Sequence, residues 1–468
     1  MSVFEFRTRR EASANDDGEA AVSWEDVRHL RAAVVERLTG ELGGRHADEE
    51  YRRHLGREFI AEEVQEWGNR RVSAGEPAPT LAQEQRLRTR LWDALFGLGR
   101  LQPLLTEDVE NVEINGYDEV WLRMASGEVA RAEPVADSDE DLVAELRFLA
   151  SQSGRSLSTA RPSLHLELAD GSRLAAMIET TRRPHVVLRR HRLTGMTLGD
   201  LVGRATLSTG LRHVLAAAVR ARKNILVTGP QNSGKTTLVR AMATEIPADQ
   251  RFASIEQEYE LHLDRLGLHP HVVAMQAREG GSELGPDGRP AGEIGLDRII
   301  RDSLRMNLSR IIVGEVRGPE ALPMLDAMTT GDGGSMATMH AHSARGAVER
   351  LVALCGRHGL APDIAYRVIA DAVDLIVHVH LVDDTWRAGG CRHRFVREVV
   401  ALEPGADGRP AITEVYLPDD EGRAVATGDP GPLEGDLVRA GLPPKWLRPG
   451  NDQWKSAPAA RVSPAASS

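Results

Sequence analysis

The stretch Gly229-Pro-Gln-Asn-Ser-Gly-Lys-Thr-Thr237 holds the residue types best suited to phosphate chemistry. Its glycines let the backbone curl so that successive N–H groups point at phosphate oxygens, as the spacing Gly-x4-Gly-Lys-Thr requires. Lys235 can reach the β- and γ-phosphates, and the Thr236 hydroxyl can ligate magnesium. The stretch therefore predicts an ATP and Mg²⁺ site. The residues assigned to it are Gly229, Pro230, Gln231, Asn232, Ser233, Gly234, Lys235, Thr236 and Thr237.

A second element, Arg310-Ile-Ile-Val-Gly-Glu-Val-Arg-Gly318, is an apolar strand followed by an acid. Such a strand would place the Glu315 carboxylate at the carboxyl edge of a sheet, beside the glycine-rich loop. There Glu315 could polarise the attacking water or help to hold magnesium, and Arg317 could contact the nucleotide. An acid that ends a strand can equally be a solvated cap, so this element alone leaves both interpretations open.

Other polar residues have simpler interpretations when they are taken one at a time. His340 could be a packed or solvent-facing histidine, and with His342 it could suggest a metal, although the sequence offers no third ligand. Glu256 and Glu260 are four residues apart and could lie on an exposed helix face. Arg173 and Arg189 could pair with surface acids, and the N-terminal helices, rich in arginine and glutamate, are expected to present a solvated face.

Four motifs, in this order, resemble the secretion ATPases of type II and type IV secretion and of type IV pili. They are Asn111-Val-Glu-Ile-Asn-Gly116 with Glu119-Val-Trp121, the Gly229–Thr237 loop, the strand from Arg310 to Gly318, and Thr330-Gly-Asp-Gly-Gly-Ser-Met-Ala-Thr-Met-His-Ala-His-Ser343. The resemblance covers roughly Leu105 to Leu402, and within the family it is greatest to the Tad/CpaF branch, which assembles tight-adherence pili. It implies a ring, usually a hexamer, on the cytoplasmic face of the inner membrane.

The resemblance also implies roles for single residues. Glu315 matches the catalytic glutamate, the general base, and His340 matches a histidine on the γ-phosphate side of the site. Glu256 and Glu260, in Ser254-Ile-Glu-Gln-Glu-Tyr-Glu-Leu261, match an acidic box. The catalytic residues predicted in this way are Glu315, Glu256 and His340, the metal ligands are Thr236 and Glu315, and the further nucleotide contacts are Arg173, Arg189, Glu260 and Arg317.

The sequence departs from the family pattern at three positions. Gly314 stands where an Asp usually precedes the catalytic Glu, Gln257 replaces the usual Asp of the acidic box, and Asp332 replaces the first His of the histidine box. Gln257 removes a negative charge near the predicted magnesium, and Asp332 would put an anion where a cation is possible. Activity is expected to survive because neither residue is the primary base.

Composition limits the remaining classes of function. Lys and Arg number 58 and Asp and Glu 69, so the formal charge of −11 argues against a sequence-blind nucleic-acid binder. The only cysteines, Cys355 and Cys391, do not indicate a disulfide framework. The sequence has neither a signal peptide pattern nor an apolar run of about 18 residues, so we expect a cytoplasmic protein without a transmembrane helix. At the inner membrane, where the resemblance places it, partners would have to hold it.

Hydrophobic periodicity divides the chain into segments. Apolar residues at spacings of three and four predict helices around Trp24–Leu38, Tyr51–Trp67 and Leu81–Phe96, followed by short alternating strands and then by strands that alternate with helices. The predicted fold is α/β: a RecA-like P-loop NTPase domain after an α+β, PAS-like domain and a helical bundle. The boundaries are a disordered segment 1–22, bundle 23–105, α+β domain 106–195, linker 196–210, NTPase domain 211–382, β-rich appendage 383–450 and disordered tail 451–468.

The sequence therefore predicts an ATPase motor for pilus assembly or protein secretion through an inner-membrane platform. One alternative is a P-loop motor that moves nucleic acid, as in conjugation, which the negative charge disfavours. The other is an ATP-binding assembly or sensor protein with weak hydrolysis, which rests on Gln257 and Asp332 alone. Turnover, and its response to DNA, would separate the three.

Overall fold

The chain forms two compact units, Met1–Arg192 and Leu193–Ser468, each described by itself. The computed structural model describes residues 22–42, 48–106, 108–124, 128–168, 171–190, 195–278, 280, 291–384 and 392–455. The predicted disordered segment 1–22 lies outside the described residues except for Val22, and the predicted tail except for residues 451–455. Within these ranges each helix is too short or too polar to cross a bilayer.

The first unit begins with three helices, as the periodicity predicts: α1 (Trp24–Leu42), α2 (Glu49–Ser73) and α3 (Leu81–Phe96). Their apolar stripes pack together, and in α1 the buried positions recur at the expected spacing of three and four. Thr80 and Gln83 form a capping box that fixes the start of α3. A 3₁₀ helix, Gly99–Leu104, leads out of the bundle.

The rest of the first unit is a six-stranded antiparallel sheet covered on one face by α4 (Asp139–Gln152). In spatial order its strands are β3, β2, β1, β6, β5 and β4. Their bounds are β1 (Val109–Asn115), β2 (Glu119–Met124), β3 (Val129–Ala132), β4 (Ser163–Glu167), β5 (Arg173–Met177) and β6 (His185–Arg189). Alternating apolar residues in the sequence predict strands at 111–115, 119–122, 173–178 and 185–189 and a helix at 140–152, which correspond to β1, β2, β5, β6 and α4. The short strands β3 and β4 are not predicted.

The second unit is built on one nine-stranded sheet in the order β15-β14-β13-β12-β7-β11-β10-β8-β9. The six strands from β12 to β9 are parallel, and β13, β14 and β15 extend the sheet in antiparallel fashion. The bounds are β7 (Ile225–Gly229), β8 (Phe252–Glu256), β9 (Val272–Gln276), β10 (Arg310–Val316), β11 (Met336–His340), β12 (Leu375–Asp383), β13 (Arg392–Pro404), β14 (Pro410–Pro418) and β15 (Ala424–Ala426).

Helices cover both faces of this sheet, which explains why its central strands are apolar throughout. One face packs against α5 (Leu198–Gly203), α6 (Thr209–Arg220), α7 (Lys235–Ala243) and α12 (Glu434–Arg439), and the other against α8 (Leu296–Ser303), α9 (Ala321–Thr330), α10 (Ala344–Arg357) and α11 (Pro362–Ala372). Short 3₁₀ turns lie at Gly431–Leu433 and Pro444–Leu447. The predicted α/β fold class is confirmed.

Three predicted segments differ in character from the structure. The expected linker 196–210 contains α5, whose Leu198 and Leu201 are buried in the core, so its glycines are not signs of a flexible connection. The expected appendage 383–450 is a continuation of the central sheet, because β13 pairs with β12 along its length. At the start of the expected tail, Asp452 accepts a 2.6 Å hydrogen bond from the Ser208 hydroxyl.

Candidate functional site

The glycine-rich loop joins the end of β7 to the start of α7, and two glycines make its path possible. Gly229 has φ +152°, and a Cβ there would lie 2.3 Å from the Val379 carbonyl oxygen. Gly234, at φ +92°, caps α7 in the left-handed conformation, so that the helix begins at Lys235. The first N–H groups of α7 have no partner within the helix and therefore face the loop as anion-binding donors.

Lys235 lies at the centre of this loop and is 7% exposed. Its Nζ donates hydrogen bonds to the carbonyl oxygens of Pro230 at 2.8 Å and Gly229 at 3.2 Å. The same atom lies 3.1 Å from Nδ1 of His340. The ammonium group therefore lies where the loop predicts phosphate binding, and it is joined to a residue of a second strand. Of the other predicted loop contacts, Gln231 and Asn232 are exposed, Pro230 and Thr237 half-buried, and Ser233 buried.

Three predicted catalytic residues come from neighbouring parallel strands. His340 ends β11 and pairs in register with Gly229 of β7, Glu315 lies near the end of β10, and Glu256 ends β8. The carboxyl ends of parallel strands meet at one edge of the sheet, beyond which α/β proteins bind their ligands. The sheet order therefore places these residues along one edge with the glycine-rich loop.

The Glu315 carboxylate has contacts on both of its oxygens. Oε2 accepts a 2.5 Å hydrogen bond from Nη2 of Arg317, whose side chain is 68% exposed. Oε1 lies 2.9 Å from Nε2 of His340, but the contact is not aligned as a hydrogen bond, and this oxygen is buried with no hydrogen-bond partner among the described residues. One carboxylate oxygen therefore keeps its acceptor capacity.

His340 is neutral at neutral pH because desolvation and the neighbouring Lys235 ammonium lower its pKa, against the opposing effect of Glu315. A neutral ring with its proton on Nε2 fits both neighbours, since Nδ1 can then accept from Lys235 while Nε2–H faces Glu315. The electrostatics thus favour a Lys235–His340–Glu315 chain that reaches from the phosphate loop to the carboxylate.

Glu256 and Glu260 do not share a helix face, because Glu256 ends a strand and Glu260 lies in the loop after it. Glu256 is 2% exposed, and its Oε1 accepts 3.0 Å hydrogen bonds from the backbone N–H groups of Glu260 and Leu261. Glu260 Oε2 in turn accepts a 3.1 Å hydrogen bond from the Thr236 hydroxyl. Glu256 therefore lies beneath the site and fixes the loop that brings Glu260 to the start of α7.

The donor set around Thr236 fits a magnesium ion. A hydroxyl and a carboxylate lie together at Thr236 and Glu260, and the buried Oε1 of Glu315 has no hydrogen-bond partner in the described part of the chain. Oxygen ligands of this kind are those that Mg²⁺ takes in nucleotide sites. In the described ranges no three His, Cys, Asp or Glu side chains are grouped so as to hold a metal ion by themselves, so a magnesium ion at this place would need phosphate oxygens as further ligands.

The departures from the family pattern have local explanations. A Cβ at Gly314 would lie 2.9 Å from Cγ of Glu256, so the absence of a side chain there gives Glu256 its space. Asp332 pairs at 2.9 Å with Arg222, and both precede the strands β11 and β7, at the amino edge of the sheet opposite the phosphate loop. Asp332 therefore does not put an anion beside the phosphate loop. Gln257 is exposed immediately after β8.

Arg173 and Arg189 belong to the first unit, where they lie directly opposite each other on β5 and β6. On the other side of β5, Glu167 of β4 lies directly opposite Arg173, so an acidic residue is placed to offset the two like charges. Their predicted contact with nucleotide concerns the second unit and stays a prediction.

The sequence patterns do not predict one residue of the site, Glu320. Glu320 is 5% exposed, and its Oε1 accepts hydrogen bonds from the backbone N–H groups of Arg317 and Gly318, the latter at 2.8 Å. It thereby fixes the turn that follows Glu315. The signal available in the sequence is an acid placed two residues after a glycine that follows a strand, which is too common to single out Glu320.

A Gly-x4-Gly-Lys-Thr loop at the carboxyl edge of a mostly parallel sheet, next to Glu315 and His340, defines a P-loop ATP hydrolase with a RecA-like fold. Residues 163–431, more than half of the chain, match the family described as type II/IV secretion system protein. The chain belongs to this family.

Two relatives and one solved structure are similar to parts of this chain. A Mycobacterium tuberculosis protein whose name assigns it to conjugal transfer is 32% identical over 335 residues, covering 69% of this chain and 90% of its own length. The type IV secretion system protein VirB11 of Brucella suis is 31% identical over 323 residues, covering 61% of this chain and 85% of its own. The solved structure of the Brucella suis VirB11 ATPase, 26% identical, covers 67% of this chain and 95% of its own with a TM-score of 0.33.

Proposed function

We propose that this protein is the cytoplasmic ATPase motor of a secretion or pilus-assembly machine. Water attacks the γ-phosphoryl group of ATP, and Glu315 orients that water and accepts its proton. The observation that carries the proposal is the contact chain from Lys235 through His340 to Glu315, which joins the phosphate loop to a carboxylate with a spare buried oxygen. Positioning and charge neutralisation account for most catalysis in phosphoryl transfer.

Each neighbouring group has a role in this proposal. Lys235 neutralises charge on the β- and γ-phosphates, and the first N–H groups of α7 bind the same oxygens. Mg²⁺, when bound by Thr236, Glu260 and Glu315, would neutralise the charge that develops between the β- and γ-phosphates. His340 stays neutral between Lys235 and Glu315, so it can sense the change in charge that follows phosphate binding or release.

The arginines complete the proposed site. Arg317 donates a hydrogen bond to Glu315 from the solvent side. When the γ-phosphate leaves, the Arg317 guanidinium group could move with the departing phosphate. Arg173 and Arg189 are proposed to reach the triphosphate from the first unit and to act as arginine fingers do. Cycles of nucleotide binding, hydrolysis and release around a hexameric ring would then produce movement.

The proposed machine is a tight-adherence (Tad/Flp-type) pilus system with an inner-membrane platform protein as partner, which also holds the ATPase at the membrane. Support for this branch comes from the Asn111–Gly116 and Glu119–Trp121 motifs together with the histidine box. The names of two relatives, one assigned to conjugal transfer and one to type IV secretion, make a conjugation-type motor the second candidate. The formal charge of −11 disfavours direct work on nucleic acid.

The test is steady-state phosphate release by the full chain with ATP and Mg²⁺, with and without DNA. Glu315→Gln should lower kcat on the order of 100-fold while nucleotide binding is retained, because the amide cannot accept the proton. Lys235→Ala should abolish binding and turnover together. A rate that DNA raises several-fold would favour the conjugation-type motor, and binding without turnover in the unmutated protein would contradict the motor.

A further inference from the structure

Arg394, on β13, contacts the phosphate loop from a strand that the sequence patterns assign to an appendage. Its Nε donates a 2.8 Å hydrogen bond to the carbonyl oxygen of Asn232. A Cβ built on Gly234 would lie 3.6 Å from Cδ of Arg394, so the aliphatic part of the side chain also runs along the loop. The guanidinium group and its stem therefore both lie against the segment that precedes α7.

The contacted carbonyl belongs to a critical peptide of the loop. Asn232 has φ +60°, a left-handed conformation that costs free energy for a residue with a Cβ. Because a trans peptide is planar, its C=O and the N–H of the next residue point in opposite directions. The Ser233 N–H donates at 3.4 Å to the Pro230 carbonyl, so Arg394 holds the other side of a peptide whose orientation shapes the turn.

We propose that Arg394 is a positioning residue for the phosphate loop and that β13 is thereby part of the nucleotide site. By fixing the Asn232–Ser233 peptide, Arg394 keeps the loop in the conformation from which Gly234 starts α7. Because the loop is already ordered before nucleotide binds, the free energy of ordering it does not reduce the free energy of binding. This inference rests on the proposed function of the loop.

A second contact of the same strand reaches the opposite side of the site. Glu398 accepts a 2.6 Å hydrogen bond on Oε1 from the backbone N–H of Ala344, the first residue of α10. That helix begins four residues after His340, at the end of β11. One strand thus contacts both the loop after β7 and the segment after β11, between which Lys235 and His340 meet.

The strand also supplies a matched control. Arg392 is two residues from Arg394 on β13, and its guanidinium group pairs with Asp383, with Nε–Oδ2 and Nη2–Oδ2 distances of 2.8 and 2.7 Å. Removing either side chain removes one positive charge from the same strand. Only the substitution of Arg394 removes a contact with the phosphate loop that the structure describes.

The experiment measures the Kd of a fluorescent ATP analogue with Mg²⁺ for the full chain, together with KM and kcat for phosphate release. Arg394→Ala should raise Kd and KM about tenfold, the loss expected for one charge-assisted hydrogen bond, with a smaller change in kcat. Arg394→Lys, which keeps a cationic donor, should recover part of the affinity, and Arg392→Ala should bind as the unmutated protein does.

Equal affinities of Arg394→Ala and Arg392→Ala would overturn the proposal. If Arg394→Ala fails to fold, Arg394→Met, which keeps an aliphatic stem along the loop but removes the donor to Asn232, is measured instead, and an affinity equal to that of the unmutated protein would overturn the proposal. Failure of the unmutated protein to bind the analogue would contradict the proposed function itself, and it would appear before any substitution is made.

Discussion

His340 and Glu315 lie 2.9 Å apart, Nε2 to Oε1, on adjacent parallel strands, without a hydrogen bond between them. The carboxylate is therefore held close to a neutral ring while one of its oxygens keeps its acceptor capacity. Since His340 also contacts Lys235 at 3.1 Å, a single side chain lies between the lysine of the phosphate loop and the carboxylate. The consequences of this arrangement are measurable.

Substitution of His340 should affect turnover more than affinity. His340→Ala removes the only side chain described here as touching both Lys235 and Glu315, so kcat should fall on the order of 100-fold, as when one preorganised donor is lost, with a small change in KM. The measurement is steady-state phosphate release. His342→Ala is the matched control because His342 is exposed two residues further on, and an equal loss in both variants would contradict the assignment.

The Thr236–Glu260 pair should determine the requirement for magnesium. Glu260→Gln keeps the size of the side chain but removes the charge beside the Thr236 hydroxyl, so the Mg²⁺ concentration for half-maximal turnover should rise about tenfold. The measurement is phosphate release across a magnesium titration at fixed ATP. Glu258→Gln, with the same charge loss on the same loop, should leave the titration unchanged, and a parallel shift in both would point to a general charge effect.

The sequence predicts most of the fold because the central strands are apolar on both faces and their helices are strongly periodic. Motif chemistry likewise predicts the loop from Gly229 to Thr237 and the acid Glu315. It does not predict long-range pairings, such as the contact of Arg394 with Asn232, 162 positions apart in the chain, since these depend on the antiparallel extension of the sheet. Motif position also fails for Asp332, because it does not say at which edge of the sheet a residue lies.

Restoring the residue that usually precedes the catalytic glutamate should damage this protein. In Gly314→Asp the new Cβ would lie 2.9 Å from Cγ of Glu256, which is buried and hydrogen-bonded to the loop of Glu260. Overpacking of this kind costs about 1–3 kcal/mol of unfolding free energy, and turnover should fall because Glu260 moves. Thermal unfolding and phosphate release are the measurements. Gly356→Ala, on α10 with open space at the Cβ position, is the control and should be neutral or stabilising.

Acid should destabilise the second unit through His378, which lies on β12 next to the strand that leads into the phosphate loop. The residue is 1% exposed, its Nδ1 lies 3.0 Å from the Thr228 hydroxyl oxygen, and burial together with nearby positive groups lowers its pKa to about 4. The unfolded chain, with a histidine pKa of about 6.5, binds the proton first, so stability is full above that pH and falls as the pH decreases toward 4.

The expected size of this effect can be measured by denaturant unfolding. Between about pH 7.5 and pH 5 the His378 contribution to the unfolding free energy should fall by about 2 kcal/mol, from the difference between the two pKa values. His378→Asn keeps a neutral hydrogen-bonding group toward Thr228 but does not titrate, so its stability should fall less over the same interval. Burial also lowers the pKa values of other histidines, which keep some acid sensitivity in the variant: His213, His269, His340, His380 and His393. An identical pH profile in both proteins would show that the pKa of His378 is the same in the folded and unfolded states, against the burial that the structure gives it.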